Sequence, residues 1–248
     1  MSLAADVRLP AVQLVNVSLA YRGGAGEVPV LHDVSVGFPE RCLTAVMGPS
    51  GSGKTTLLHC AAGLERPDRG KVFLGTTEMD AGDDRELTEI RRRRIGFVFQ
   101  QFNLLPMLSV YGNVALPLRL GGGRVRRQAV MEALRQVGLE DKAAHRPAQL
   151  SGGQQQRAAI ARTLLAEPEI VFADEPTGSL DRATGRQVMD LLRQTVDRAG
   201  RTVVMVTHDP VAAACADRVI FLVDGRTVGK TDRPTVDGIT AELSRWEA

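Results

Sequence analysis

The chain contains one segment, Gly48 to Thr55, whose residue types and spacing suit the binding of phosphate. It fits the phosphate-binding P-loop pattern at every fixed position, with an apolar strand before it and a helix after it. Glycines let successive backbone N–H groups turn toward phosphate oxygens, and the helix N-terminus adds its positive dipole. We expect Lys54 to reach the β and γ phosphates of a nucleotide and the Thr55 hydroxyl to bind Mg²⁺. The predicted cradle consists of Gly48, Pro49, Ser50, Gly51, Ser52, Gly53, Lys54, Thr55 and Thr56.

A second chemical feature is the pair of carboxylates that ends an apolar strand. Asp174 and Glu175 directly follow Ile170 to Ala173. Carboxylates at the carboxyl edge of a strand beside a P-loop can bind the Mg²⁺ shell and polarise an attacking water. We assign the first role to Asp174 and the second to Glu175. The alternative is that these side chains only cap the next turn.

The segment Leu150 to Gln154 predicts a second anion site. Ser151 is suited to be the N-cap of a helix, and Gly152 and Gly153 leave backbone N–H groups free at its start. The P-loop already holds the phosphates of one ATP, so this helix end is best explained if it serves the nucleotide of another copy of the chain. An ordinary capped helix is the alternative.

The elements that position these residues follow from the apolar pattern. Short alternating stretches up to Phe38, broken by the Gly23 to Gly26 turn, predict an antiparallel β lobe. Beyond it, strands alternate with helices, which predicts an α/β fold with a parallel sheet. A helical insert is expected in the middle of the chain. Predicted strands are 43–47, 95–100, 170–173, 202–206 and 219–223, and predicted helices are 55–62, 83–94, 124–137, 154–166, 184–199 and one from Ile239.

Composition limits the classes of partner. The chain has 31 basic against 29 acidic residues and a net charge of +2, without the basic excess typical of nucleic-acid binding. Residues 1–10 lack a signal-peptide pattern, and no run approaches the ~18 apolar residues of a membrane span. Cys42, Cys60 and Cys215 predict reduced core thiols, with no zinc site or disulfide. We expect a cytosolic protein that needs another chain for work at a membrane.

Together, these segments resemble the ATP-binding subunit of ABC transporters, and the resemblance covers nearly the whole chain. It implies an α/β P-loop NTPase with a RecA-like core, an antiparallel β lobe and an α-helical lobe that carries the signature loop at Ser151. It implies one ABC ATPase domain over residues 1–248. The core with the β lobe would occupy 11–95 and 168–230, the helical lobe about 101–165, and a C-terminal helix 231–248.

The resemblance also implies roles for further residues. Tyr21 resembles the aromatic residue that stacks on adenine, and Gln100 the loop glutamine that contacts Mg²⁺ and the attacking water and faces the permease. Asp181, in Ser-Leu-Asp, resembles the loop that crosses the dimer interface. His208 resembles the histidine that contacts the γ-phosphate. As isolated residues, Tyr21 could equally be core, Gln100 a strand end, Asp181 a turn residue and His208 a surface residue.

The resemblance implies a protein that hydrolyses ATP with Mg²⁺, because none of its ATP-site motifs has lost a required residue. Two copies would pack head to tail, with each ATP between Gly48 to Thr56 of one copy and Ser151, Gly152, Gly153 and Gln154 of the other. The partner would be an integral membrane permease, which places the chain on the cytoplasmic face of the cell membrane, and nucleic acid is not expected as a partner.

The stretch after Gln100 is similar to the macrolide-export, lipoprotein-release and cell-division group (MacB, LolD and FtsE). This similarity rests on Gln101 to Pro106 and on the apolar stretches around Asn113 and Pro117, interpreted as loops. Transport of a substrate and regulation of an extracytoplasmic activity without transport both fit this group. Arg91 to Arg94 is interpreted as a solvated helix end, and the alternative is a patch that binds lipid or nucleic acid.

Overall fold

The computed structural model describes residues 10–23, 26–79 and 84–246. Part of the predicted Gly23 to Gly26 turn and the predicted helix start at Asp83 lie outside these ranges. The strands are β1 (Val12–Gly23), β2 (Gly26–Phe38), β3 (Leu43–Met47), β4 (Arg69–Leu74), β5 (Thr77–Glu78), β6 (Ile95–Val98), β7 (Ile170–Asp174), β8 (Thr202–Val206), β9 (Arg218–Val223) and β10 (Arg226–Asp232). The helices are α1 (Lys54–Ala61), α2 (Asp84–Arg94), α3 (Val110–Leu120), α4 (Arg127–Gln136), α5 (Gly152–Leu165), α6 (Arg182–Asp197), α7 (Pro210–Ala213) and α8 (Val236–Ser244).

Two sheets form the frame of the molecule. The first has the strand order β2-β1-β4-β5, and its neighbouring strands are antiparallel. The second has the order β10-β9-β3-β8-β7-β6, in which only the β9–β10 hairpin is antiparallel. The α/β class, the antiparallel β lobe and the parallel sheet are therefore confirmed.

The parallel sheet is covered on both faces, which explains its uninterrupted apolar strands. Along β8, Val204 and Val206 face a core shared with α1 and the antiparallel sheet. Val203 and Met205 face a second core that contains residues of α6, α7 and α8. Because side chains alternate along a strand, five consecutive buried residues fill two different cores.

A third core lies in the helical lobe and joins α3, α4 and the middle of α5. Here one sequence interpretation was wrong: the stretch around Asn113 and Pro117 is the helix α3, not a loop. Ser109 caps α3 by accepting a hydrogen bond from Gly112 N. Pro117 lies close to the helix end, and burial of apolar side chains in this third core offsets the hydrogen bond that proline removes.

Other departures from expectation are small. The strands β4 and β5 and the short helix α7 were not predicted. Cys60 is buried, but Cys42 is only partly buried and Cys215 is exposed, so the expectation of three core thiols was wrong for these two. Cys215 follows the single turn of α7 at the surface, where one turn is too short to cover it.

The loop between β6 and α3 is held by one buried amide. Asn113 is fully buried, and its Oδ1 accepts from Leu105 N at 2.7 Å. Its Nδ2 donates to the carbonyl oxygens of Leu105 at 3.0 Å, Leu108 at 3.3 Å and Ser109 at 3.1 Å. A single side chain thereby satisfies the backbone groups of a loop that has no secondary structure of its own.

We predict that Asn113→Ala lowers the free energy of unfolding by about 2–4 kcal/mol, because it leaves several backbone groups without partners. Urea denaturation followed by circular dichroism measures this change. Gln128→Ala, at an exposed position on the neighbouring helix α4, is the control and should change stability by less than about 0.5 kcal/mol. A wild-type midpoint for Asn113→Ala would contradict the role of this amide.

Candidate functional site

The P-loop follows β3 and ends in α1, as predicted, and its geometry requires glycine. Gly48 has φ 153°, and a Cβ there would lie 1.8 Å from the carbonyl oxygen of Leu222. Gly53 has φ 92°, and a Cβ there would lie 2.8 Å from the carbonyl oxygen of Val30. Gly53 is also the N-cap of α1 and provides no side-chain cap, so the first N–H groups of the helix remain available for an anion.

Lys54 and Ser52 also fit a phosphate ligand. Lys54 Nζ donates to the carbonyl oxygens of Gly48 at 2.9 Å and Pro49 at 2.7 Å, and burial lowers the pKa of this amine. Ser52 Oγ is buried and has no hydrogen-bond partner within the described part of the chain. A cleft of about 360 Å³ is lined by Lys54, by its P-loop neighbours Gly53 and Thr55, and by Glu175.

Asp174 lies against the start of α1. Thr55 Oγ1 donates to Asp174 Oδ1 at 3.1 Å. Burial raises the pKa of Asp174, while the Thr55 hydrogen bond and the nearby His59 and Lys54 oppose that rise. No cluster of three or more metal-binding His, Cys, Asp or Glu side chains occurs in the described ranges. A hydroxyl and one carboxylate are nevertheless a suitable donor set for Mg²⁺, which commonly takes its remaining ligands from substrate phosphates and water.

Glu175 is the most constrained residue of the site. It has φ 44°, which is uncommon for a residue other than glycine, and its N–H donates to Val206 O at 2.9 Å. Its Oε1 lies 2.9 Å from His208 Nδ1. Its Oε2 is buried and finds no partner among the described residues. This carboxylate therefore presents one oxygen that is held by an imidazole and one that is free to accept a proton.

The signature segment has the predicted cap. Ser151 Oγ accepts from Gln154 N at 3.3 Å, and Gln154 Oε1 accepts from Ser151 N at 2.9 Å, which is a capping box. Ser151 and Gly152 are exposed. A Cβ at Gly153 would lie 2.0 Å from Thr184 Cγ2, so this glycine allows α5 to approach α6. None of these residues lines the P-loop cleft of the same chain.

Asp181 is the N-cap of α6. It accepts from the N–H groups of Ala183 and Thr184 at 3.0 Å each, and from the Thr184 hydroxyl at 2.7 Å. The Thr184 hydroxyl bond is the main cause of its lowered pKa. This cap explains why α6 begins at Arg182, two residues before the predicted start. Like Ser151, Asp181 does not line the P-loop cleft.

Tyr21 and Gln100 lie at the margins of the site. Tyr21 is 45% exposed, and its hydroxyl donates to Glu65 Oε1 at 2.8 Å and Oε2 at 2.7 Å. The same hydroxyl lies 3.3 Å from Thr56 Oγ1 at the P-loop helix. Gln100 is exposed, and its Nε2 would lie 3.5 Å from a Cβ on Gly178, so it borders the loop that follows Glu175.

The structure adds two supporting residues that the sequence analysis did not single out. Gln156 is fully buried, and its Nε2 donates at 2.8 Å to the carbonyl oxygen of Pro176, the residue after Glu175. Arg162 donates to the carbonyl oxygens of Phe102 at 3.0 Å and of Asn103, and thereby holds the loop after Gln100. The available signal for Gln156 was a polar residue on the otherwise apolar face of a predicted helix.

Comparison with known proteins places this geometry in a family. The family model for ABC transporters matches residues 31–178. An ABC transporter ATP-binding protein of Methanocaldococcus jannaschii, MJ0796, is 46% identical over 220 residues, which cover 86% of this chain and 94% of that protein. The macrolide export ATP-binding/permease protein MacB of Burkholderia thailandensis is 42% identical over 234 residues, which cover 94% of this chain and 36% of MacB.

A solved structure supports the same assignment. The dimeric, post-hydrolysis state of the MJ0796 cassette bound to ADP and Pi has a TM-score of 0.84 and 43% sequence identity, and the match covers 90% of this chain and 99% of that one. No helix within the described residues is long and apolar enough to cross a membrane. From its fold, its site and these relatives, the chain is an ABC-type ATPase and belongs to the family of ABC transporter ATP-binding proteins.

Proposed function

We propose that this chain powers a separate membrane permease by hydrolysing ATP at two sites, each shared between two copies of the chain. The observation that carries the proposal is Glu175, which borders the same cleft as Lys54 and the P-loop and whose buried Oε2 has no partner among the described residues. The known state of MJ0796 with ADP and Pi supports ATP as the nucleotide.

The P-loop binds and orients the phosphates. Backbone N–H groups at the start of α1 and the buried hydroxyl of Ser52 provide donors, and Lys54 exchanges its bonds to Gly48 O and Pro49 O for phosphate oxygens. Thr55 and Asp174 would hold Mg²⁺, with Gln100 as a further ligand, and the ion would neutralise charge on the phosphates. Tyr21, with its hydroxyl held by Glu65, offers its exposed ring to adenine.

Glu175 acts as the base in this proposal. His208 Nδ1–H donates to Oε1, which orients the carboxylate and leaves Oε2 to accept the proton of the attacking water. The His208 side chain is 67% exposed, so it can also contact the γ-phosphate from the open side of the cleft. The two residues are adjacent because β7 pairs with β8 in parallel register.

The second copy supplies the other wall of each site. Ser151, Gly152, Gly153 and Gln154 form a capped helix start that does not line the P-loop cleft of its own chain, which supports a role on the nucleotide of the partner. Asp181 would lie at the same interface. The dimeric MJ0796 structures support a dimer of this chain, and the head-to-tail packing is part of the proposal. ATP binding would close the dimer, and hydrolysis would reopen it.

The permease would bind in a groove of about 550 Å³ beside the loop that follows Gln100. Its apolar walls come from β6 and α3, and its sides from α2 and α5. Lining residues used here are Phe97, Phe99, Leu116, Pro117 and Leu120. Leu105 and Met107, 46% and 82% exposed, lie in the loop that follows Gln100, which contributes Asn103 to the groove, whereas Leu104 packs against the third core. An exposed apolar surface of this kind marks an interaction site.

We assign the chain to the macrolide-export and lipoprotein-release type, on the cytoplasmic face of the membrane through its permease. The match to MacB over 94% of this chain supports that assignment. We further divide the single domain into the core with β lobe (11–95 and 168–230), the helical lobe (about 101–165) and the C-terminal segment (231–248), which contains α8.

Replacing Glu175 with Gln removes the proton acceptor but keeps the shape of the side chain. We expect turnover to fall ~10²-fold or more, because loss of a general base commonly costs this much, while ATP binding is retained. A phosphate-release assay and equilibrium binding of labelled ATP measure the two effects. Asp190→Asn, at an exposed position on α6, is the control and should hydrolyse ATP normally. Wild-type turnover by Glu175→Gln would refute the assignment.

Complementation between two inactive variants tests the shared site. Lys54→Ala disables the P-loop, and Ser151→Arg disables the signature loop, so each variant alone should be nearly inactive. A mixed dimer contains one site with both parts intact, and we expect ATPase activity to return on mixing. The rate per subunit of the wild-type protein should also rise with its concentration. Folded variants that stay inactive when mixed would rule out the shared site.

Coupling to the permease is tested at the two exposed apolar residues. The double variant Leu105→Ser with Met107→Ser should leave the basal ATPase rate and the melting temperature nearly unchanged. It should no longer co-purify with the permease, and the permease should no longer stimulate its ATP hydrolysis, because apolar anchors dominate such interfaces. Val236→Ser, at another exposed apolar position, is the control. Leu104→Ser should lower the melting temperature instead, since this side chain packs in the core. Normal stimulation of the double variant would place the permease elsewhere.

A further inference from the structure

The charge of the chain is distributed unevenly. Residues 90–131 contain eight arginines, no lysine and no aspartate or glutamate, whereas the rest of the chain carries 23 basic against 29 acidic residues. A strongly basic stretch thus lies in a chain whose net charge is only +2. It contains β6, the loop that follows and α3, and it extends into the first turns of α4.

The first four of these arginines are engaged within the protein. Arg91 donates to Gly63 O at 3.0 Å, and Arg94 pairs with Glu169 at 2.8 Å. The two arginines between them both pair with Glu89. The interpretation of this run as a solvated helix end was therefore wrong for Arg91 and Arg94, which connect α2 to its neighbours.

The other four arginines have no such partners. Arg119, Arg124, Arg126 and Arg127 are exposed, and none makes an ion pair or a side-chain hydrogen bond with any residue that the structure describes. Arg119 lies in the last turn of α3, and the other three flank the start of α4, directly after the Gly121 to Gly123 turn. The four guanidinium groups are therefore carried by one end of the helical lobe.

The fold itself gives no reason for three of these charges. Arg126 is the N-cap of α4 and makes no capping bond, Arg127 is the first helical residue, and the first turn contains no acidic residue. Cations at a helix N-terminus oppose the helix dipole and are locally destabilising. Their charge therefore favours an anionic partner outside the chain.

The position of this end of the lobe indicates which partner. Leu120 lies between Arg119 and the glycine turn, is 72% exposed, and lines the groove proposed for the permease helix. A permease helix that occupies the groove would bring this margin of the groove toward the membrane that surrounds the permease. Anionic headgroups attract clustered arginines, and an exposed leucine can enter the headgroup boundary.

We propose that Arg119, Arg124, Arg126 and Arg127, together with Leu120, form a surface that binds the anionic lipid headgroups around the permease. This inference rests on the proposed permease groove for its orientation. Lipid is favoured over nucleic acid because the surface combines charge with an exposed aliphatic side chain and because the rest of the chain is net acidic. The lipid contact would hold the helical lobe at the membrane and raise the local concentration of the chain near its permease.

Flotation with vesicles tests the proposal without permease or nucleotide. The purified chain should bind vesicles of phosphatidylcholine mixed with phosphatidylglycerol, should not bind phosphatidylcholine alone, and should bind less as salt is raised. Arg124→Ser with Arg126→Ser and Arg127→Ser should weaken binding roughly a hundredfold, from the contribution of each basic residue at an anionic surface. Serine is a favoured N-cap at position 126, so this triple variant should fold.

Two matched variants separate a specific surface from total charge. Lysine at the same three positions should retain binding to the anionic vesicles. The second variant replaces Arg226, Lys230 and Arg233 with serine; these exposed residues lie in and beside β10, at the opposite edge of the parallel sheet. It changes the net charge by the same amount and should leave vesicle binding unchanged. Three results would each overturn the proposal. The β10 variant could lose vesicle binding to the same extent, or the triple variant at Arg124, Arg126 and Arg127 could bind vesicles normally. The third result is wild-type protein that binds duplex DNA but not the vesicles.

The outcome is separable from the function proposed above. The three arginines lie outside the P-loop cleft, so the basal ATPase rate of the triple variant in solution should equal that of the wild type. If the wild-type protein did not hydrolyse ATP, the function proposed above would be refuted, and the vesicle result would still stand. Normal hydrolysis with no vesicle binding would refute the lipid surface alone.

Discussion

The parallel register of β3, β8 and β7 brings three loops to one edge of the sheet. Val46 of β3 lies beside Val206 of β8, and Val206 lies beside Asp174 of β7. The residues that follow these strands therefore start at the same level, which sets the P-loop and Glu175 around one cleft, with His208 against Glu175. The hydrogen bond from Glu175 N to Val206 O continues this pairing beyond the strand and fixes the catalytic candidate in an unusual backbone conformation. Sheet register is therefore the constraint on which the chemistry depends.

The helix α5 connects that edge to the rest of the molecule. Its first turn is the signature segment, Gln156 one turn further on binds the carbonyl oxygen next to Glu175, and Arg162 near its end holds the loop after Gln100. One rigid helix thus contacts the region proposed for the partner's nucleotide, the catalytic loop and the region proposed for the permease. A displacement at its N-terminus would be transmitted to the other two, because a helix of this length moves as a unit and the buried Gln156 is hydrogen-bonded to Pro176 O.

The helical lobe differs from the core in how it is stabilised and charged. The core rests on apolar strands that are buried on both faces, whereas the lobe depends on a small third core and on polar contacts such as those of Asn113. Its surface is basic and carries the exposed apolar residues Leu105, Met107 and Leu120, while the remaining chain is net acidic. This division matches the two tasks proposed above, in which the core holds nucleotide and the lobe contacts the permease and lipid.

The sequence by itself determined the chemical elements of the site and the class of the fold. Glycines at required turns, a lysine and hydroxyls at the start of a helix, and carboxylates at the end of an apolar strand are local signals, because each depends on neighbours within a few residues. The tertiary structure decided what depends on contacts between distant segments. The sequence did not predict the helix α3, because Gly112 and Pro117 lower the intrinsic helix propensity of this segment. Only burial of its apolar face selects the helix. Likewise, the role of Gln156 depends on a carbonyl group 20 residues away. The pairing of His208 with Glu175, 33 residues apart, depends on the register of two strands.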